Sequence, residues 1–101
     1  MSAAAEIGDM ATLRREIDAI DADLVRLLAR RASMIERAIE LKPGEGLPAR
    51  IDTRVRDVLE KVIARAHAEG LDTDLAERLW REMMEHFIAR EEEVLGKGDA
   101  T

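Results

Sequence analysis

A chain of 101 residues has room for one domain, and 47% hydrophobic residues are enough to give it a core. One Phe, one Trp and no Tyr leave that core to Leu, Ile, Val, Met and Ala, while 38% charged residues suit helix surfaces, which excludes a β-sandwich. Zero Cys excludes a disulfide framework, a zinc–thiolate site and thiol catalysis and fits a reducing cytoplasm; a net charge of -6 speaks against nucleic acid as a partner.

The segment Met1–Asp9 carries two acids and no basic stretch before an apolar run, so it does not read as a secretory signal. Residues 1–11 are expected to be a flexible tail. The first helix is predicted from about Met10 or Thr12 to Leu41, with Thr12, Arg15 and Glu16 as an approximate capping box. Pro43 and Gly44 stop it, and KPGEGLPA, Lys42 to Ala49, reads as a loop. A second helix is predicted from Ile51 to Glu69, with Ile51, Val55, Val58, Val62 and Ala66 on one face and Gly70 as its stop. Asp72 or Thr73 caps a third, which carries Leu75, Leu79, Trp80, Met83, Met84, Phe87, Ile88, Val94 and Leu95 as far as Gly96. Residues 12–95 form the domain and 96–101 a second flexible tail. No apolar run approaches the roughly 20 residues that cross a bilayer.

About 30 residues at 1.5 Å each make the first helix roughly 45 Å long, whereas a compact chain of about 100 residues has a radius of gyration near 13 Å. Its apolar seam needs cover, and an intertwined homodimer supplies it. An extended three-helix bundle is the alternative.

Charges that interrupt apolar stripes are the candidate functional residues. Leu13, Ile17, Ile20, Leu24 and Leu27 alternate in steps of four and three, and the series resumes at Met34, Ala38 and Leu41. Arg31 fills the gap. A cation in a helix seam is costly without an anion to meet it, either a structural Glu or a bound ligand. Lys42 follows 11 residues later, close to three full turns and about 16 Å along, on the same side. Glu91 continues the stripe of Trp80, Met84 and Phe87 and is read as a partner for Arg31 or a group of the pocket. Arg54 flanks the apolar face of the second helix. Arg14 lies roughly 25 Å before Arg31 and reaches such a site only from a second chain. His67 and His86 have no partners at metal-ligand spacing, so no metal or cofactor is expected.

The run LRREIDAIDADLVRLLARR, followed by Lys42, the Pro/Gly loop, Arg54 and Glu91, resembles the all-helical class of chorismate mutase over residues 12–95. The resemblance implies an all-α, three-helix chain intertwined as a homodimer with two buried sites. It also implies an isomerase that converts chorismate to prephenate without nucleophile, metal or cofactor. Arg31 and Arg54 would hold the carboxylates of this small dicarboxylate substrate, with Arg14 supplied by the second subunit. Lys42 and Glu91 would face the ether oxygen, and Val55, Met84 and Phe87 complete the substrate-binding set. Glu91 stands where many relatives have Gln, and donates only when protonated. Three departures from the pattern stand out. Ile51 and Val55 replace acids that bind the ring hydroxyl, as in the related isochorismate pyruvate-lyases, and Pro43 disfavours helical geometry at Lys42, so that its ammonium would move with the loop. A non-catalytic helical dimer is the reading from another class.

Overall fold

The computed structural model describes residues 4–96. Three helices, α1 (Met10–Leu41), α2 (Asp52–Glu69) and α3 (Thr73–Leu95), make the chain all-α, with short 3-10 turns at Ala4–Glu6 and Pro43–Glu45 and no strand among the described residues. Two compact units divide it, Met1–Met34 and Ile35–Thr101. Of the expected tails, residues 1–3 and 97–101 lie outside the described residues.

The first unit is built on the greater part of α1. Its N-cap is Asp9 rather than Thr12: the Asp9 carboxylate accepts from the Thr12 backbone N–H at 2.7 Å and from the Thr12 hydroxyl at 2.9 Å. These bonds hold the Asp9 carboxyl below its ordinary range. The predicted seam is present as a stripe, but its Ile17, Ile20, Leu24 and Leu27 are all exposed, as is Leu28 beside them.

In the second unit α2 and α3 pack against each other. Buried in this unit are the small residues Ala66 of α2 and Ala76 of α3, the latter only 1% exposed, together with Leu59, Met84 and Ile88. Ile39, near the end of α1, and Ala49, in the loop after it, are buried too. This core departs from the predicted faces. Leu75, Leu79 and Val94, named among the apolar residues of the third helix, are exposed, while Leu59, Ala76 and Ile39 were not singled out. Stripes step around a helix by about 100° per residue, so a bulky neighbour one position off the packed line faces water. The α2–α3 turn follows from its residues. Gly70 adopts φ +76, donates to Ala66 and His67, and lets Leu71 N–H reach the Ala66 carbonyl at 2.8 Å. Asp72 then caps α3 by accepting from the N–H groups of Asp74 and Leu75. No helix among the described residues is long and apolar enough to cross a membrane.

Arg90 of α3 donates to Glu36 of α1 at 2.9 and 3.2 Å, and this hydrogen bond holds the Glu36 carboxyl below the ordinary glutamate range. A folded-state value below the unfolded one means that the stabilisation is present above the unfolded value and lost as pH falls through the folded one. Glu36→Gln should therefore flatten part of the drop in melting temperature on acidification below about pH 4; equal drops in variant and parent contradict it. Asp72→Ala should cost about 1 kcal/mol in urea unfolding.

Candidate functional site

The centre of the site is Lys42, the residue after the last turn of α1. Its N–H donates to the Ala38 carbonyl at 2.9 Å, and its own carbonyl accepts from Glu45 at 3.1 Å and Leu47 at 2.9 Å. Pro43 opens a 3-10 turn, where the missing N–H costs nothing, and Gly46, at φ +68, reverses the chain. These bonds override the expectation drawn from Pro43. Lys42 is helical, at φ -57 and ψ -43.

Nor does its ammonium move freely with the loop. The Lys42 Nζ donates to the Ala49 carbonyl at 2.8 Å, closing the loop on itself, and lies 2.9 Å from Glu91 Oε1. The side chains are 15% and 6% exposed. Two of three ammonium donors are thus committed in a setting where an uncompensated charge would be costly. Glu91 is the one buried charged residue among those described. It reaches this place because α3 presents Ala76, Met84, Ile88 and Glu91 along its packed line.

The structure thus brings Lys42 and Glu91 of the predicted set together. Met84 is buried and Phe87 half-buried on α3, two turns and one turn before Glu91. Val55 and Ile51 are half-buried and apolar at the start of α2. The Arg54 guanidinium is exposed and held by Asp57 at 2.6 Å; with Lys61 it keeps the Asp57 carboxyl below its ordinary range, the Lys61 hydrogen bond contributing most. Arg14 and Arg31 belong to the first unit, Arg14 exposed and Arg31 half-buried. The Ala49 carbonyl was not anticipated, since a backbone acceptor leaves no trace in side-chain spacing. Among the described residues no group of three or more His, Cys, Asp or Glu is placed to hold a metal ion.

Residues 13–92 match the family described as chorismate mutase type II. A bifunctional chorismate mutase/prephenate dehydratase of Aquifex aeolicus is 38% identical over 55 residues, 54% of this chain and 15% of that protein. An isochorismate pyruvate lyase of Pseudomonas aeruginosa is 32% identical over 83 residues, 81% of this chain and 80% of that protein. A chorismate mutase of Methanocaldococcus jannaschii is 24% identical over 89 residues, covering 88% and 90%. The chain spans only 15% to 23% of the longer relatives.

A buried pair is costly to break from one side and cheap to replace from both. Glu91→Ala should lower unfolding free energy by about 3 kcal/mol, and the double change Lys42→Met with Glu91→Leu should recover most of it. Urea titration of the three proteins decides this.

Proposed function

The chain belongs to the chorismate mutase type II family, and from that membership we propose that it catalyses the rearrangement of chorismate to prephenate in aromatic amino-acid biosynthesis. The observation that carries the reading is the Lys42 ammonium, fixed between the Ala49 carbonyl and Glu91 and mostly withdrawn from water. The reaction breaks a C–O bond and forms a C–C bond within one molecule, so no group need be supplied from outside. What the protein contributes is geometry and charge. Holding the enolpyruvyl arm over the ring removes an entropic part of the barrier. As the C–O bond breaks, negative charge grows on the ether oxygen, and a preoriented donor stabilises the transition state more than the ground state. Lys42 is that donor. The carboxylates fall to the guanidinium groups of Arg31 and Arg54 and of Arg14 from a second copy, as the resemblance implies, with Val55, Met84 and Phe87 against the apolar parts of the substrate.

Glu91 as the ionised partner of Lys42 has no proton to offer the ether oxygen. An amide has one, and it leaves the ammonium with its full charge. The exposed apolar stripe of α1 supports the homodimer, since Ile17, Ile20, Leu24, Leu27 and Leu28 form an uncovered seam of the kind that a second α1 covers.

A second reading, isochorismate pyruvate-lyase, is favoured by Ile51 and Val55. Both are half-buried and apolar, so neither supplies an acceptor for a ring hydroxyl. A non-catalytic helical dimer is the remaining alternative.

Purified protein offered each substrate separately, with prephenate and with salicylate plus pyruvate quantified, separates these readings. Rearrangement of chorismate is expected; a kcat/KM higher by about tenfold for isochorismate favours the lyase, and turnover of neither leaves the non-catalytic dimer. Lys42→Ala should lower kcat/KM by about 100- to 1,000-fold. Glu91→Gln should raise it at neutral pH. In sedimentation the parent should run as a dimer and Leu24→Glu as a monomer.

A further inference from the structure

The Lys42 ammonium is aimed by a backbone carbonyl, so whatever fixes that carbonyl also fixes the ammonium. Ala49 is 3% exposed, which pins the strap of residues 43–49 at its far end through a buried methyl group. The next residue adds a second pin. Arg50 donates through one guanidinium nitrogen to both carboxylate oxygens of Glu85, which lies on α3, the helix that also carries Glu91. Glu85 in turn raises the Arg50 pKa, chiefly through that hydrogen bond. Both partners are about half exposed and neither lies among the groups assigned to the substrate. The same helix therefore holds Lys42 from two directions, directly through Glu91 and indirectly through Glu85, Arg50 and the Ala49 carbonyl.

We propose that Arg50 and Glu85 are positioning residues for Lys42: their ion pair fastens the strap to α3 so that the Ala49 carbonyl keeps the ammonium oriented. Loss of the pair frees the far end of the strap from Glu85 on α3, and Lys42 then samples orientations in which Nζ leaves the carbonyl. This rests on the proposed role of Lys42 toward the substrate's developing charge, but its first readout does not.

The chain has three lysines, which makes amine labelling simple to assign. Acetylation by an amine-reactive ester, followed by peptide mass spectrometry, compares Lys42 with exposed Lys61 in the same molecule. Arg50→Gln and Glu85→Gln should each raise the Lys42 rate relative to Lys61 by about two- to fivefold, the range open to an exposed ion pair. The double variant should go no further than either single one, and Arg50→Lys should recover part of the effect. Ala49→Leu, which overfills the buried site, should exceed them all; Arg50→Gln keeps the test valid if that variant does not fold. For chorismate rearrangement the loss in Arg50→Gln should match the labelling factor and fall in kcat rather than KM. Unchanged Lys42 labelling in Arg50→Gln and Glu85→Gln, with only the melting temperature lowered, would make the pair a surface fastening and overturn the proposal. Raised labelling in a protein whose parent does not turn over chorismate upholds the positioning role and removes the catalytic reading instead.

Discussion

The ion pair between Lys42 and Glu91 is the constraint on which the second unit is organised. It joins the end of α1 to the last turns of α3 inside a region with little water, and two charges there are tolerable only because each meets the other at 2.9 Å and the ammonium also meets a carbonyl. Apolar side chains of similar volume would hold the helices together as well or better. Its retention as a charged pair is therefore better explained by chemistry than by stability.

The two charges do different work in the proposed reaction. An ammonium already desolvated and oriented needs no reorganisation when charge appears on a substrate oxygen, which is where electrostatic catalysis gains most. A carboxylate beside it lowers the field that a dianion meets on arrival. Glu91 thus trades substrate attraction for a well-placed Lys42, and the loop carbonyl shares the orienting task without adding a full charge.

Much of the architecture was legible because it rests on local chemistry. Pro43 with Gly44, Gly70 and Asp72 mark where helices stop and start, and the three helices fall close to their predicted limits. Glu91 was also legible singly, as a charge out of place in its stripe, and Lys42 by its spacing from Arg31. The resemblance set both at the ether oxygen, but their ion pair was not legible, because periodicity within a helix carries no information on which helix it faces. The helical state of Lys42 ran against the preference of a residue before proline, since hydrogen bonds from Glu45 and Leu47 outweighed it. Arg50 and Glu85 escaped notice because exposed charges at helix-surface spacing look alike until the chain is folded. Ala76 escaped because a small residue adds little to a hydrophobic stripe, although it is 1% exposed in the fold.

That last residue has a mechanical consequence. Ala76, 1% exposed, lies near the start of α3, and Glu91 lies 15 residues further along the same rod, about 22 Å away. A larger side chain in this buried place would have to push α3 aside, and a tilt of the rod about that end would displace most the carboxylate that meets Lys42. Geometry at the charged end is thus calibrated by a methyl group four turns distant.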